Sequence, residues 1–384
     1  MKLNGILGKT VHRALNARPA LNMKRRAGIL GAACAVAMLA GGALTPAHAQ
    51  TKLTYASFYG PDEFFETSAK YFMSEVTRRS EGKITFEPYY GGALLRAAES
   101  GDGLSRGVAD IGVTVPAAFN PREFPLTGVV LPFVSENPYA VTQAFADLMH
   151  EDPAFAEQFR QHNQKPLWAL AAGENSLWTN KPVRTFSDLK GMRIRSILGV
   201  AEALKAAGVT PVSIPWVEAL ELMQRGGVEG VSTTPFAQAA AAGTLDMAKY
   251  ASNGGRMGNY TAVIWTMNLQ SYERLSPEER AIIDDVAKDV IPEYFSRYEA
   301  EIDRNVELLE KSDVEYIHMD DAEVAKVKEI AGPVVYESWA KLVSSRTKVD
   351  PKAFYDNYVE RVRKYEAQFP YVTGFDRYRQ RNPR

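Results

Sequence analysis

From residue 51 onward, short strand-like segments alternate with amphipathic helical segments, and this order limits the possible folds more than any other feature. The first series runs KLTYAS, FFETSAKYFMSEVTRR, KITFEPYY, ALLRAAESGDGLSR and VADIGVTV. A second series begins near Pro166 with PLWALAA and continues through MRIRS, VAEALKAAG, PVSI, VEALELMQRGG and VEGVST. Strands that alternate with helices are typical of α/β folds, because each helix returns the chain to start the next strand. The sequence therefore predicts two α/β lobes.

The amino terminus has the pattern of an export signal. A Lys-Arg-Arg triplet at 24–26 precedes an apolar run, and Ala-His-Ala at 47–49 offers the small residues that a cleavage site requires. We therefore predict a signal peptide over residues 1–49, with translation starting at Met23, and a periplasmic location. The apolar run is short for a membrane span and ends in Gly-Gly and Pro, which argues against an uncleaved anchor.

Cleavage there would also remove the only cysteine, Cys34. The exported chain would then have no disulfide, no thiolate nucleophile and no cysteine metal ligand. Residues 50–384 contain 38 basic and 46 acidic residues, a formal charge of about −8. This charge makes nucleic acid and anionic membranes poor partners. A chain of this length exceeds what one core usually holds, which also favours two domains.

One motif has the form of a catalytic one, because Gly103 to Gly107 match G-x-S-x-G with Ser105 as the nucleophile. A nucleophile elbow requires a strand before the serine and a helix after it, whereas here the helical segment comes first. We therefore interpret Gly107 as a helix C-cap. The histidines lack metal-ligand spacing, and no phosphate-binding glycine motif occurs. These observations predict a protein that is not an enzyme and has no metal or cofactor; an exported enzyme on a two-lobed scaffold is an alternative.

The segment DLKGMRIRS at 188–196 places two arginines, Arg193 and Arg195, on the same face of a predicted strand. Side chains alternate across a strand with period two, so both guanidinium groups would project the same way. Long cationic side chains usually lie in water, so a solvated edge strand is one interpretation. An anion clamp is the other, and the segment by itself does not decide between them.

Several ordered segments resemble the extracytoplasmic solute-binding proteins of TRAP transporters, the family typified by the C4-dicarboxylate binder. The signature is KPVRTFSDLKGMRIRS, followed after a helix by GVTPVSIPWVEALELMQRGGVEGVSTTP. EGKITFEPYYGGALLRAAESGDGLSRGVADIG, LPFVSENPYAV and LSPEERAIIDDVA fit the family's first-lobe segment, its following loop and the start of its long inter-lobe helix. The resemblance covers nearly all of residues 50–384. It implies a two-lobed periplasmic solute-binding protein fold, with a ligand cleft between the lobes.

The resemblance also implies how the chain is divided. We expect one lobe from residues 50–172 with about 260–300, and the other from residues 173–259 with about 301–384. SPEER at 276–280 has the pattern of a helix start, with a serine N-cap, proline at the first helical position and glutamate closing a capping box. Pro292 should kink or break this long helix, because proline lacks the amide donor.

By the same resemblance, Arg195 forks onto the ligand carboxylate while Arg193 faces solvent. A planar guanidinium presents paired donors that match two carboxylate oxygens. Trp216 would place its ring against the ligand, with a core tryptophan as the alternative. Asn175 stands where sialic-acid binders carry another arginine, which argues against sialic acid. The other predicted contacts are Thr233 and Thr234 from the second lobe and Phe58, Tyr59 and Ala117 from the first.

This set of residues predicts a pocket with one cationic anchor, several aromatic rings and few extra charges. Such a pocket favours a small monocarboxylate with an apolar or aromatic body, with a C4-dicarboxylate as the alternative. The resemblance further implies a monomer that delivers its ligand to the small and large TRAP membrane subunits. A ligand-binding protein that serves a sensor kinase would have the same fold and stays an alternative.

Overall fold

The computed structural model describes residues 50–239 and 243–383. Its strands are β1 (Thr51–Ala56), β2 (Ile84–Tyr89), β3 (Ile111–Thr114), β4 (Gln164–Ala171), β5 (Asn175–Thr179), β6 (Arg193–Arg195), β7 (Thr210–Val212), β8 (Gly230–Pro235), β9 (Tyr250–Ser252), β10 (Ala262–Asn268) and β11 (Glu315–Ile317). The predicted signal peptide and the start at Met23 lie outside the described residues.

The α-helices are α1 (Glu66–Arg79), α2 (Ser100–Ser105), α3 (Pro116–Phe119), α4 (Pro138–Glu151), α5 (Pro153–Gln161), α6 (Leu198–Ala206), α7 (Trp216–Gln224), α8 (Leu269–Arg274), α9 (Pro277–Glu310), α10 (Asp321–Arg346), α11 (Pro351–Glu366) and α12 (Gly374–Arg381). Short 3₁₀ turns lie at Ala97–Glu99, Pro125–Val129, Phe186–Leu189 and Phe236–Gln238.

The strands form two mixed sheets, and this confirms the predicted α/β fold with two lobes. The first sheet has the order β2-β1-β3-β10-β4, and the second has the order β11-β9-β5-β8-β6-β7. Strands β1, β2 and β3 are parallel, whereas β10 runs antiparallel to β3 and β4. In the second sheet β6 lies parallel to both β7 and β8. The late strand β10 therefore completes a sheet that the first part of the chain began.

Two chain segments pass side by side between the sheets. One joins β4 to β5 and the other joins β9 to β10. The amide of Ala172 donates to the carbonyl of Thr261 at 3.0 Å, and the amide of Asn175 donates to the carbonyl of Gly258 at 2.8 Å. These bonds satisfy backbone groups that the crossing would otherwise bury unpaired, so the crossing segments form a short paired ribbon.

The long helix α9 begins as predicted and runs for 34 residues. The hydroxyl of Ser276 accepts from the amide of Glu279 at 3.1 Å, and the Glu279 carboxylate accepts from the Ser276 amide at 2.8 Å. Pro292 lies inside the helix and does not end it, so the expectation of a break there is wrong. Packing of the apolar face of α9 outweighs the loss of one helical hydrogen bond.

Two large hydrophobic clusters each draw residues from both sheets. The first includes Trp265 from β10, Trp178 from β5 and Tyr294 from α9. The second places α10 and α11 against the other faces of the sheets. Helix α11 packs against α4, so the last part of the chain also contacts helices of the first half. We keep the predicted lobe limits as a proposal.

The segment with the hydrolase-like motif has the structure that the sequence predicted. Helix α2 ends at Ser105, and Gly107 has a φ of +74°, the left-handed conformation of a helix C-cap. The Ser105 hydroxyl donates to the carbonyl of Gly101 at 3.0 Å and accepts from Gln164 Nε2 at 2.9 Å. The serine therefore closes a helix end and does not form a nucleophile elbow.

Candidate functional site

A cavity of about 640 Å³ lies between the two sheets. Both lobes and the paired ribbon contribute to its wall. Side chains near the first sheet include Phe58, Tyr59, Glu63, Arg96, Glu99 and Phe119, those near the second include Arg195, Trp216, Glu218, Thr233, Thr234 and Gln238, and the ribbon contributes Tyr260 and Thr261. A cavity of this size, mostly apolar with a few polar groups, is typical of a small-molecule site.

Arg195 is the most deeply buried charge in this wall, with 4% of its surface exposed. Its Nε donates to the carbonyl of Ile214 at 3.0 Å, and its Nη1 donates to Thr233 Oγ1 at 2.7 Å. Nη1 also lies 3.2 Å from the carbonyl oxygen of Ser232. Nη2 makes no hydrogen bond to any residue in the described part of the chain. Burial lowers the pKa of Arg195 to about 10, so the group stays charged at neutral pH.

The neighbouring Arg193 lies two residues away on the same strand and is exposed. The structure therefore divides the Arg-x-Arg pair into one solvated and one buried guanidinium. No carboxylate forms a salt bridge with Arg195 among the described residues. A buried charge without a counterion is costly, which makes Arg195 a candidate for pairing with an anionic ligand.

The residue that fixes Arg195 has a strained backbone. Thr233 has a φ of +58°, which is unusual for a β-branched residue. The pairing of β5 and β8 shifts register opposite this residue, as expected for a β-bulge. The side-chain oxygen of Asn175 accepts from the Thr233 amide at 2.7 Å and from the Ser232 hydroxyl at 3.0 Å. The side chain of Asn175 therefore stabilises the bulge, and the Thr233 hydroxyl in that bulge accepts a hydrogen bond from Arg195.

Two helices begin beside the cavity without a side-chain cap. Helix α6 follows Ile197, and helix α7 follows Pro215; both of these N-cap residues line the cavity. The first amide groups of a helix lack intrahelical partners and carry positive partial charge. Together with the guanidinium of Arg195, the two helix starts make this end of the cavity favourable for an anion.

Aromatic rings cover much of the remaining wall. The Cζ atom of Arg195 lies 5.5 Å from the ring centroid of Trp216, within cation–π range. The rings of Phe58 and Tyr59 have centroids 4.5 Å apart, and Tyr59 and Phe65 have centroids 5.4 Å apart. Trp216 is only half-buried and borders the cavity. It also packs against the first hydrophobic cluster, and its role as a ligand contact stays a prediction.

The structure brings most of the predicted site residues together, but not all of them. The residues at the cavity wall are Arg195, Trp216, Thr233, Thr234, Phe58 and Tyr59. Asn175 is not at the wall, and its side-chain oxygen bonds two residues of the bulge. Ala117 lies at a second cavity of about 390 Å³. Neither residue lines the larger cavity, and their role as ligand contacts stays a prediction.

The expectation of few extra charges is also wrong. Four further charged side chains, Glu63, Arg96, Glu99 and Glu218, line the cavity. Burial raises the pKa of Glu63, and the amide of Gly60, which donates to its carboxylate at 2.9 Å, opposes this rise. Arg96 is exposed and has no salt bridge within the described residues. Sequence reasoning missed these residues because nothing in their local pattern distinguishes them from solvated side chains.

Tyr260 was also missed. It precedes β10 in the paired ribbon, is 4% exposed and borders both cavities. Its segment, NYTAVIWTMN, has the pattern of a buried strand, and such a pattern does not distinguish a core tyrosine from one at a ligand site. Within residues 50–239 and 243–383, no cluster of acidic, histidine or cysteine side chains could hold a metal ion. No helix in those ranges is long and apolar enough to cross a bilayer.

Two α/β lobes joined by a paired ribbon, with an anion-favouring cavity between them, define a solute-binding protein. Residues 55–342 match the family model described as bacterial extracellular solute-binding protein, family 7, and the chain belongs to this family. The family and the similar solved structures are transport solute-binding proteins and not enzymes. Family membership implies a periplasmic location.

Two relatives show the extent of the similarity. A solute-binding protein of Albidiferax ferrireducens is 28% identical over 290 residues, which cover 72% of this chain and 75% of the relative. The ectoine/5-hydroxyectoine-binding periplasmic protein UehA of Ruegeria pomeroyi is 26% identical over 275 residues, 67% of this chain and 74% of the relative.

Two solved structures share the fold. A TRAP periplasmic solute-binding protein from Desulfovibrio salexigens, an open complex, is 25% identical with a TM-score of 0.70, covering 84% of this chain and 99% of that one. A TRAP solute-binding protein from Rhodoferax ferrireducens, in complex with copurified benzoate, is 22% identical with a TM-score of 0.74. The match covers 83% of this chain and 99% of that one.

Proposed function

We propose that this protein is the solute-binding subunit of a TRAP transporter and that it captures a small monocarboxylate through Arg195. The observation that carries the proposal is the buried guanidinium whose Nη2 has no partner among the described residues. Its N–H donors match the oxygens of a carboxylate, and pairing in a water-poor cavity would offset the cost of burying the charge. Lysine would match a carboxylate less well, because its charge is compact and lacks the fork.

The rest of the cavity supports an apolar or aromatic ligand body. The rings of Phe58, Phe119 and Trp216 leave an apolar space beside the cationic end. The Rhodoferax ferrireducens protein holds benzoate, an aromatic monocarboxylate. The name of the Ruegeria pomeroyi relative includes ectoine, a zwitterion that also carries a carboxylate. All of these molecules share the group that Arg195 would bind.

A C4-dicarboxylate is the second candidate ligand, and Arg96 favours it. This guanidinium lies at the cavity wall near the first sheet, whereas Arg195 belongs to the second sheet. A ligand with two carboxylates could engage both. Glu99 and Glu63 line the same region, and their negative charges weigh against a second anion there.

The mechanism is capture without chemical change of the ligand. Binding between the lobes stabilises a closed form by the difference in affinity between the closed and the open form. The loaded protein, a monomer exported by a cleaved signal peptide, then docks on the small and large membrane subunits that the family implies. The lobes reopen there and release the acid.

A thermal-shift screen of the exported protein tests this function. The probes are benzoate, mandelate, pyroglutamate, succinate and ectoine, with benzamide as the uncharged match for benzoate. A ligand at about 100 times its Kd adds about 2.7 kcal/mol of stability, which gives an easily measured rise in Tm. The variants are Arg195→Ala and, as a matched control from the same strand, Arg193→Ala.

We expect an acid to stabilise the wild type and the Arg193→Ala variant, and the Arg195→Ala variant to lose the shift. A full shift in Arg195→Ala would overturn the carboxylate clamp. Much tighter binding of succinate than of any monocarboxylate, lost in Arg96→Ala, would select the dicarboxylate candidate. The preparation is first denatured and extracted to remove copurified ligand, and the refolded protein is used in the screen.

A further inference from the structure

We propose that the phenol hydroxyls of Tyr59 and Tyr260 complete the carboxylate site around Arg195, so that one carboxylate is held from three parts of the fold. Tyr59 follows β1 of the first sheet, Tyr260 lies in the paired ribbon, and Arg195 belongs to β6 of the second sheet. This inference rests on the proposed function, since it requires a carboxylate at Arg195.

The three side chains line the same cavity. Burial raises the pKa of both phenols, and the positive charge of Arg195 opposes that rise in each. The two phenols also interact with each other electrostatically. Both phenols are therefore within electrostatic range of the Arg195 guanidinium, whose Nη2 has no partner among the described residues.

Neither hydroxyl hydrogen-bonds a residue in the described part of the chain. The hydroxyl of Tyr55, which does not line the cavity, shows the contrast, because it donates to a carboxylate oxygen of Glu66 at 2.9 Å and accepts from Trp265 Nε1 at 3.1 Å. Neither hydroxyl is among the fully buried side-chain atoms that lack a partner, and both residues line the cavity. The two hydroxyls are therefore open to a ligand oxygen, to which each could donate a hydrogen bond.

The backbone of each tyrosine is fixed independently of any ligand. The amide of Tyr59 donates to Ser57 Oγ at 3.0 Å, and its carbonyl accepts from the Gly91 amide at 2.8 Å. Next to Tyr260, the side chain of Asn259 donates to the carbonyl of Ser135 at 3.0 Å. Donors that are held in place before binding lose little freedom when the ligand arrives, which raises affinity.

The arrangement also connects binding with closure. Because Tyr59 and Arg195 belong to different sheets, a carboxylate bonded to both links the two lobes through its own oxygens. The free energy of the bond to Tyr59 would then favour the closed form directly. A ligand with a single carboxylate is sufficient for this, so the arrangement favours the monocarboxylate over the dicarboxylate.

Isothermal titration calorimetry on three single variants, Tyr59→Phe, Tyr260→Phe and Tyr358→Phe, tests the proposal. Tyr358 is the matched control, because it is fully buried, its hydroxyl also lacks a partner among the described residues, and it does not line the cavity. The probes are benzoate, mandelate, pyroglutamate and ectoine. The Tm of each ligand-free variant is measured alongside.

We expect Tyr59→Phe and Tyr260→Phe each to raise the Kd of the tightest-binding probe about tenfold or more, because each variant would lose one hydrogen bond to a charged carboxylate. Their ligand-free Tm should stay equal or rise, because the deleted hydroxyls bond no residue in the described part of the chain. Tyr358→Phe should leave the affinity unchanged. If the hydroxyls of Tyr59 and Tyr260 had only a structural role, removing them would instead lower the ligand-free Tm.

Two results would overturn the inference in different ways. Unchanged affinity in both cavity variants, with binding lost in Arg195→Ala, would remove the tyrosines from the site and leave the proposed function standing. If no probe binds, or if binding does not depend on Arg195, both the proposed function and the tyrosine site are contradicted.

Discussion

Thr233 accepts a hydrogen bond of 2.7 Å from Nη1 of Arg195 while its own φ is +58°. A β-branched residue avoids this conformation, so the surrounding structure must enforce it. Asn175, which bonds the Thr233 amide at 2.7 Å, supplies part of that enforcement. Strained residues of this kind cluster at ligand sites, and here the strain orients the group that would bind the ligand.

The Thr233→Val variant should therefore lose stability. Valine keeps the branched shape but removes the acceptor for a charged donor, which we expect to cost about 1.5–3 kcal/mol of unfolding free energy. Thr234→Val is the matched control, because the hydroxyl of Thr234 is buried without a partner among the described residues. Its loss should cost little or stabilise the protein. Urea unfolding measures both, and equal losses would contradict the role of the Thr233 hydroxyl.

Glu66 should make stability depend on pH. Burial raises the pKa of its carboxyl from 4.5 to about 7, although the hydroxyls of Ser57 and Tyr55 oppose the rise. Between these values the folded state keeps a proton that the unfolded state releases. Stability should therefore fall as pH rises from about 4.5 to about 7, by about 3 kcal/mol in total, and level off above.

The Glu66→Gln variant tests this pH dependence, since glutamine is neutral throughout. Denaturant unfolding from pH 4.5 to pH 8 should show the wild type losing about 3 kcal/mol relative to the variant. Parallel pH profiles of the two proteins would mean that Glu66 titrates at its ordinary pKa. Because Ser57 bonds both Glu66 and the Tyr59 amide, the same titration bears on the loop that carries Tyr59.

Trp216 should report ligand binding by fluorescence. Of the five tryptophans, Trp168, Trp178 and Trp265 are fully buried in the core, and Trp339 lies at the smaller cavity. A carboxylate at Arg195 changes the charge beside the Trp216 ring. Trp216→Phe should remove most of the emission change that benzoate or another bound acid produces, whereas Trp339→Phe should retain it. Loss of the emission change in Trp339→Phe, with the change retained in Trp216→Phe, would indicate that the ligand binds in the smaller cavity.

A side chain at Gly173, in the paired ribbon, should be costly. Its φ is +87°, and a Cβ there would lie 2.7 Å from the hydroxyl oxygen of Tyr298. Gly226 is the matched control, with a φ of +70° and open space around it. Alanine at position 226 should cost about 1–2 kcal/mol for the left-handed backbone alone. Alanine at position 173 should cost clearly more in thermal unfolding, and equal costs would mean that Tyr298 moves aside freely.

Local features were predictable from the sequence because their causes are local. The capping box at Ser276 and Glu279 depends on side chains three residues apart, and the left-handed Gly107 follows directly from the end of a helix. The α/β order follows from the period of the apolar residues, which changes between strand and helix. The position of Arg195 in a short strand followed from the same alternation.

The tertiary structure alone decided which side chains share the cavity. The sequence placed Arg193 and Arg195 on one strand face, but only the packing of Ile214, Ser232 and Thr233 around one of them made it buried. Tyr59 and Tyr260 are 201 positions apart, and they line the same cavity because β10 returns to the first sheet beside β3. Asn175 was expected at the ligand, and the structure shows its side-chain oxygen bonded to the Thr233 amide. Periodicity gives the face on which a side chain lies, whereas the long-range crossing of chain segments determines what that face meets.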